Sequence, residues 1–111
     1  MKIFKGAINH DNHRCDVCHI DTDCFDNIPD ELKVKAHAVC LYKGKMVIVN
    51  HPEWNIWGIP GGTRELGESI EETLKREILE EANCEMIDCR PIAYQKVINP
   101  DGSDAYYRLQ Y

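Results

Sequence analysis

Hydrophobic residues along the chain fall into short alternating or continuous runs, a pattern typical of strands. Between Lys33 and Tyr42 they occur at every second position, and a short turn separates this run from the next, so the pair is predicted to form a hairpin. Two later runs lie on either side of the turn-forming sequence Asn99-Pro100-Asp101-Gly102. The predicted strands are residues 33–42, 46–49, 91–98 and 105–111.

Two segments lack such a pattern and are predicted to be loops. Residues 10–30 interleave Asp, Asn, His and Cys, which indicates a polar, loop-rich segment. Residues 51–62 carry two prolines and three glycines, the residues that most often interrupt regular structure. The chain contains no internal repeat and no low-complexity tract.

A repeat of four residues predicts one helix, from Ser69 to Asn83. Its apolar positions are Ile70, Leu74 and Ile78. Ser69, followed three residues later by Glu72, forms the capping box that is typical of a helix start. Asn83 is suited to the left-handed conformation in which many helices end.

The last two turns of this helix carry three glutamates, Glu77, Glu80 and Glu81, beside the apolar face. At about 100° per residue they share roughly a 100° arc, where their charges repel one another and the helix dipole disfavours each by about 0.3–1 kcal/mol. One interpretation is a solvated acidic face. The other is a site for a hard divalent cation, and it is favoured because these acids border the buried stripe. Arg76 is expected to pair with Glu80 and with Glu68.

The segment from Gly62 to Cys84 resembles the Nudix box, a motif with glycine, glutamate and arginine at fixed positions. The matching residues are Gly62, Glu68, Arg76, Glu77, Ile78, Glu80 and Glu81. Asn83 stands where the family has its last glycine, and Cys84 occupies the final aliphatic position. The preceding Trp57-Gly58-Ile59-Pro60-Gly61 is also typical of the family. The chain is therefore similar to Nudix hydrolases over about residues 33–111.

The resemblance implies an α/β fold, the Nudix fold, in which a mixed sheet lies inside an α/β/α sandwich. Only 27 residues follow Cys84, whereas family members usually continue through more strand and a second helix. C-terminal elements are therefore expected to be missing, and either the chain is truncated or a partner completes the layer. The predicted regions are a Cys/His-rich accessory segment at residues 1–32, with room for a first strand, and a Nudix domain at 33–111.

The resemblance also implies a reaction, hydrolysis of a nucleoside diphosphate linked to another group, such as a nucleoside triphosphate or a nucleotide sugar. The implied ligands of Mg²⁺ or Mn²⁺ are the carbonyl of Gly61 and the carboxylates of Glu77, Glu80 and Glu81. Glu77 could instead position or deprotonate the attacking water. Arg76, with Glu68 as its partner, would orient the glutamates. The alternative is a non-catalytic Nudix-fold module that binds a nucleotide or has a regulatory role.

Several side chains near the predicted site are candidates for binding the substrate. Arg64, just past the two glycines, could reach a phosphate group. Trp54 and Trp57, with His51 and Tyr94, lie where family members often contact a base, and stacking on a base is one role for these tryptophans. Burial in the core is the alternative role, since tryptophan is often a core residue.

The net charge of −6 argues against a protein that binds the nucleic-acid backbone, which is expected to be basic. Residues 61–84 alone carry seven acidic and three basic side chains, so this segment repels itself unless it is solvated or holds a cation. No apolar run approaches the ~20 residues of a membrane span, and the start of the chain lacks the apolar core of a signal peptide. The expected location is the cytoplasm, the expected partner is a small nucleotide, and a homodimer is left open.

A cluster of cysteines and histidines in the N-terminal segment raises the question of zinc. Its members are His10, His13, Cys15, Cys18, His19 and Cys24. Thiolate and imidazole are the ligands of tetrahedral zinc sites, and Cys15 and Cys18 have the CxxC spacing. A second CxxC is absent, so the favoured interpretation is a polar loop with free thiols rather than a zinc site at Cys15, Cys18 and Cys24.

Overall fold

The computed structural model describes residues 3–111, so the first two residues of the predicted accessory segment lie outside it. The described residues form ten strands and one α-helix, together with a single 3-10 turn at Asp30–Leu32. In chain order these are β1 (Ile3–His10), β2 (His13–Asp21), β3 (Lys33–His37), β4 (Cys40–Tyr42), β5 (Lys45–Val47), β6 (Val49–His51), β7 (Ile56–Gly58), β8 (Gly61–Thr63), α1 (Ile70–Ala82), β9 (Ala93–Ile98) and β10 (Asp104–Gln110).

Six of the strands form one sheet, in the order β1-β2-β9-β10-β3-β8. Strands β3 and β10 run parallel, and all the other neighbours in this sheet run antiparallel. The predicted mixed sheet is therefore confirmed. Two small hairpins, β4–β5 and β6–β7, stand apart from it, and the first of them is the predicted hairpin after residue 40.

The helix α1 packs on one face of the sheet, against β3 and β8. Its predicted apolar stripe is confirmed, because Ile70, Leu74 and Ile78 are all buried in one cluster with side chains from β3 and β10. Fully burying a side chain such as Leu74 contributes roughly 1.5–3 kcal/mol. Since α1 is the one α-helix between residues 3 and 111, a single helical layer of the expected sandwich is present in that part of the chain.

Both predicted ends of the helix are confirmed. The Ser69 Oγ accepts a hydrogen bond from the Glu72 backbone N–H at 3.1 Å, and the Glu72 carboxylate accepts one in return from the Ser69 N–H at 3.3 Å. Asn83 ends the helix in the left-handed conformation, with φ at 53°. Its side chain thus replaces the family's glycine without a change of backbone geometry.

The loop predicted for residues 10–30 is wrong over its first half, because His13–Asp21 forms the strand β2 between β1 and β9. Asp11 and Asn12 both have positive φ, at 48° and 63°, as the two central residues of a type I′ hairpin turn require. Polar side chains are interspersed among the apolar ones of β2, which hides the strand from a hydrophobicity pattern. The turn sequence Asp-Asn was the available signal.

The strand predicted over residues 33–42 is interrupted after His37. The next two backbone amides leave the β3 ladder: the Ala38 N–H donates to the Pro60 carbonyl at 3.0 Å, and the Val39 N–H donates to the Tyr111 carbonyl at 2.8 Å. The chain then continues as β4, which pairs only with β5. Similarly, the loop predicted at residues 51–62 contains the short strands β7 and β8. Sequence periodicity does not reveal such a change of hydrogen-bond partner.

Candidate active site

The side chain of Arg76 is the centre of the polar network between α1 and the loop before it. Its Nε donates to Glu68 Oε2 at 2.7 Å and its Nη2 donates to Glu68 Oε1 at 3.0 Å, so the predicted pair is present as a bidentate ion pair. The hydrogen bond from Arg76, followed by that from the Glu65 backbone N–H, lowers the pKa of Glu68 to about 2. The hydrogen bond to Glu68 in turn raises the pKa of Arg76. This pair fixes residues 65–68 against the helix.

The same guanidinium also holds two of the predicted catalytic carboxylates. Its Nη1 lies 2.8 Å from Glu77 Oε1 and 3.3 Å from Glu80 Oε2, and its Nη2 donates to the Thr63 carbonyl at 3.2 Å. The predicted Arg76–Glu80 contact is thus present. Since Thr63 belongs to β8, a single arginine joins the edge strand of the sheet to the acidic end of α1.

Two adjacent glycines provide the space into which these carboxylates fit. A Cβ on Gly62 would lie 2.5 Å from both Cδ and Oε1 of Glu77, so any larger residue would displace this carboxylate. The backbone N–H of Gly61 donates to Glu81 Oε1 at 2.9 Å. A Cβ on Gly61 would collide with the Ala36 carbonyl and the ring of His37. Glycine is therefore required at both positions by close approach.

The pKa of Glu77 is raised above its ordinary value. Burial raises its pKa, the hydrogen bond from Arg76 opposes that shift, and the charges of Glu81 and Glu80 raise it further. The three carboxylates therefore interact with one another, as the helical spacing predicted.

His51 contacts the third glutamate. Its Nδ1 lies 3.4 Å from Glu81 Oε2, and its Nε2 lies 3.3 Å from the carbonyl of Ile59. Only 15% of the His51 side chain and 20% of the Glu81 side chain are exposed. The sequence placed His51 among the substrate-binding candidates, and the structure brings it directly to the acidic end of the helix.

A model of the NUDIX domain matches residues 32–108, which is more than half of the chain. The chain belongs to the Nudix family. Among solved structures, the crystal structure of a mutant of BsRppH, a Bacillus subtilis pyrophosphohydrolase, is similar with a TM-score of 0.67 and 19% identity. The match covers 99% of this chain and 65% of that one, so the two share a fold and this chain spans about two thirds of the other's length. No curated protein matches the chain.

The donor set of this Nudix site suits a hard divalent cation. The carboxylates of Glu77 and Glu81 meet the Gly61–Gly62 backbone, and oxygen is the ligand atom that Mg²⁺ and Mn²⁺ prefer. Gly62 supplies a cradle that a Cβ would fill. Within residues 3–111, however, no three His, Cys, Asp or Glu side chains already surround a common point. The residues fit the cation in chemistry, while Glu77 and Glu80 contact Arg76 and Glu81 contacts His51.

The two tryptophans of the Nudix protein lie at the surface. Trp54 is 68% exposed and Trp57 is 67% exposed, on and beside the β6–β7 hairpin, so the core interpretation is wrong for both. The rings of Trp54 and His51 lie 6.1 Å apart. Tyr94, by contrast, packs on the main core with its ring centre 5.5 Å from that of Tyr107. The structure thus separates Tyr94 from the other candidates for base contact.

Arg64 is turned towards the N-terminal segment. Its Nη2 donates to the Asp30 carbonyl at 2.8 Å, and its Nη1 lies 3.3 Å from Asp30 Oδ2. These contacts anchor the 3-10 turn beside the loop that leads into α1. A role in binding phosphate stays a prediction for Arg64.

Some residues of the site were not identified from the sequence. Thr73 is fully buried, and its hydroxyl lies 3.0 Å from Glu68 Oε1 and 3.1 Å from the Ser69 carbonyl. Its position three residues before Arg76 was the available signal, since such residues share a helix face. On β3, His37 lies against Gly61, and burial, followed by the charges of Arg108, Lys35 and His51, lowers the pKa of His37 to about 4.

The N-terminal Cys/His cluster does not form a metal site among the described residues. Cys15 and Cys18 lie three residues apart on β2, so their side chains point to opposite faces of the sheet. Cys15 is fully buried beside Val97 and Tyr106. The six cysteines have free thiols, and Cys15 and Cys18 lie in a strand rather than in the predicted loop.

Proposed function

We propose that this Nudix protein is a divalent-metal-dependent pyrophosphohydrolase that cleaves a phosphoanhydride bond in a nucleoside diphosphate linked to another group. The observation that carries the proposal is the meeting of Glu77 and Glu81 with the Gly61–Gly62 backbone, with Arg76 between Glu68, Glu77 and Glu80. A cluster of acids of this kind on the last turns of a helix destabilises the protein by itself. A bound cation would offset this destabilisation, which is consistent with a metal site.

The residues that would hold Mg²⁺ or Mn²⁺ are the Gly61 carbonyl and the carboxylates of Glu77, Glu80 and Glu81. A bound ion of this type neutralises phosphate charge and lowers the pKa of coordinated water. The chain itself contributes orientation: Arg76 fixes the direction of Glu77 and Glu80, and Glu68 fixes Arg76. Glu77 could instead position the attacking water or accept its proton, in which case the remaining ligands would hold the ion.

The substrate would be a small nucleotide held outside the acidic cluster. The exposed rings of Trp54 and Trp57 are accessible to a base, and His51 connects that hairpin to Glu81. Arg64 could contact a phosphate if it released Asp30. A cytoplasmic location and a homodimer stay predictions. No helix within residues 3–111 is both long and apolar enough to cross a membrane.

The test is a panel of nucleoside triphosphates, nucleotide sugars and dinucleoside polyphosphates, assayed with Mg²⁺ and with Mn²⁺. We expect Glu81→Gln and Glu80→Gln each to lower turnover by at least ~100-fold, about 2.7 kcal/mol of transition-state stabilisation. Glu85→Gln is the matched control, because it removes the same charge from an exposed side chain just beyond α1. Unchanged turnover in the Glu80 and Glu81 variants would disprove the assigned site.

The alternative, a non-catalytic nucleotide-binding module, is favoured by the way Arg76 and His51 already occupy the carboxylates. It predicts nucleotide binding with no turnover of any substrate in the panel. Chelation tests the metal dependence of the hydrolase, which should lose its activity in chelator while its far-UV circular dichroism is unchanged. A structural zinc domain would instead unfold in chelator.

A further inference from the structure

Two basic side chains lie next to each other on the face of the sheet that α1 does not cover. Lys35 of β3 and Arg108 of β10 are register partners in the parallel pair. The residues that follow each of them, Ala36 and Leu109, are buried in the core beneath the helix. Because successive side chains of a strand alternate between faces, Lys35 and Arg108 project from the opposite face. We refer to these two residues as the cation pair.

The partners of the cation pair are neutral. Arg108 Nη2 donates to the Tyr106 hydroxyl at 3.3 Å, and its Nη1 donates to Gln95 Oε1 at 3.5 Å. Both charges lie over the Tyr106 ring, with Lys35 Nζ 5.7 Å and Arg108 Cζ 5.8 Å from its centre. The Nε of Arg108 is buried and has no hydrogen-bond partner among residues 3–111.

Like most Lys and Arg side chains of residues 3–111, Lys35 and Arg108 have no acidic partner, but these two are adjacent to each other and partly buried. Across the described part of the chain, no carboxylate lies within 4 Å of the side-chain nitrogens of Lys35 or Arg108, whereas Arg64, Arg76 and Lys96 each have one. The whole sequence carries 19 acidic and 13 basic side chains, so acids are in excess. Two adjacent positive charges repel each other, and neutral oxygens and one ring compensate them only in part.

The position of the cation pair relates it to the proposed active site. Lys35 lies opposite Thr63 on β8, and His37, two residues further along β3, lies opposite Gly61. Gly61 is the residue whose backbone N–H binds Glu81. The acidic cluster thus lies at the Gly61–Gly62 end of the edge strand β8. The cation pair lies on the next two strands of the sheet, β3 and β10.

We propose that Lys35 and Arg108 bind a phosphate group of the substrate beyond the two that flank the scissile bond. This inference rests on the proposed function, and it selects one substrate class within it. A nucleotide sugar has two phosphates, both of which belong at the acidic cluster, whereas a nucleoside triphosphate has a third. Guanidinium and ammonium groups are the side-chain groups that usually donate hydrogen bonds to phosphate in proteins. The expected substrate is therefore a nucleoside triphosphate.

The experiment compares binding of inorganic tripolyphosphate and inorganic pyrophosphate by calorimetric titration in chelator, where no turnover can occur. We expect the unsubstituted protein to bind tripolyphosphate at least ~10-fold more tightly than pyrophosphate, about 1.4 kcal/mol. Lys35→Gln and Arg108→Gln should each remove most of that preference. Lys45→Gln, which removes an exposed charge on β5, should leave it intact.

A second measurement guards against loss of structure at the partly buried Arg108. Arg108→Lys keeps the charge and should keep at least part of the preference, with unchanged far-UV circular dichroism. In turnover assays, Lys35→Gln should raise KM for ATP about tenfold with little change in kcat, as expected when uniform binding is lost. Equal affinity for the two anions in the unsubstituted protein, or a preference that survives both glutamine substitutions, would overturn the inference. If anion binding behaves as expected but no substrate is turned over, the proposed function fails and the anion site remains.

Discussion

The acidic cluster on α1 and the cation pair on the open sheet face are opposite cases of charge compensation in one small domain. Glu68, Glu77 and Glu80 all contact the single guanidinium of Arg76, so part of their charge is compensated by a side chain of the protein itself. Lys35 and Arg108 have only a tyrosine and a glutamine as partners within residues 3–111.

This difference separates a site that is organised in advance from one that depends on its ligand. The acidic cluster holds its shape without a cation because Arg76 substitutes for part of the positive charge. In the cation pair nothing substitutes for an anion, and the Nε of Arg108 has no partner among residues 3–111. Burial, followed by the charges of Arg108 and Lys35, lowers the pKa of the nearby His37. Substitutions at each site should therefore differ in whether they change catalysis, stability or both.

The largest effect is expected where the acidic cluster meets the glycines. In Gly62→Ala the new Cβ would displace the Glu77 carboxylate from its position beside Arg76. Because a misplacement of about 1 Å in a catalytic group can cost 10²-fold, turnover should fall by ~100-fold or more. Stability should change little, since the end of a flexible side chain can move. Steady-state kinetics and thermal unfolding measure the two effects.

Gly6→Ala is the control for this substitution, because a Cβ at Gly6 meets no atom within 4 Å. Its turnover and its midpoint of unfolding should match those of the unsubstituted protein. Full activity in Gly62→Ala would show that the position of Glu77 beside Arg76 is not the one used in catalysis.

A smaller effect, on stability rather than catalysis, is expected beside the cation pair. The pKa of His37 is lowered from 6.5 to about 4, so the unfolded chain binds a proton there that the folded protein excludes. Stability from this group is fully present above pH 6.5 and is lost as the pH falls towards 4. Since His37 is partly exposed, the loss should be on the order of 2 kcal/mol.

Urea unfolding in chelator at pH 7 and at pH 4 tests this expectation. The unsubstituted protein should lose about 2 kcal/mol more than His37→Gln over that range, because carboxylates titrate in both proteins and cancel in the comparison. In Lys35→Gln the His37 pKa, followed by NMR, should move back towards 6.5. An identical pH dependence in His37→Gln and the unsubstituted protein would contradict the lowered pKa. An unchanged His37 pKa in Lys35→Gln would show that burial, and not the charge of Lys35, sets it.

The elements that could be predicted from the sequence are those set by residues close together in the chain. The helix and both its caps were predictable because Ser69, Glu72 and Asn83 act on their own turns of backbone. The strand β2 was missed because polar residues interrupt its apolar positions and because its place inside the sheet depends on β9, which lies far along the chain. The break after His37 likewise depends on carbonyls supplied by Pro60 and Tyr111.

The candidate site divides in the same way. The pair of Arg76 with Glu68 and with Glu80 was predictable from helical geometry and from the Nudix resemblance, because those residues lie on one helix or just before it. The contact of His51 with Glu81 joins residues 30 positions apart and needed the fold. The cation pair was missed because Lys35 and Arg108 are brought together only by the parallel pairing of two strands distant in sequence.

The smallest expected effect concerns the support behind the acidic cluster. Thr73 is buried, and its hydroxyl contacts both Glu68 Oε1 and the Ser69 carbonyl. Thr73→Val keeps the shape but removes that hydrogen bond, while the Glu65 N–H and Arg76 Nη2 still bind the same carboxylate oxygen. Since a typical net hydrogen bond contributes about 0.5–1.5 kcal/mol, stability should fall by about 1 kcal/mol.

Turnover in Thr73→Val should fall by less than about threefold, because two of the three donors to Glu68 Oε1 remain and Arg76 stays oriented. Thr22→Val is the control, as it removes a threonine hydroxyl whose hydrogen bond to the Cys24 carbonyl is exposed. Urea unfolding and steady-state kinetics of the two variants give the comparison. A loss of activity as large as that of Gly62→Ala would instead show that Thr73 positions the catalytic glutamates, since a hydrogen bond to Glu68 would then control their geometry through Arg76.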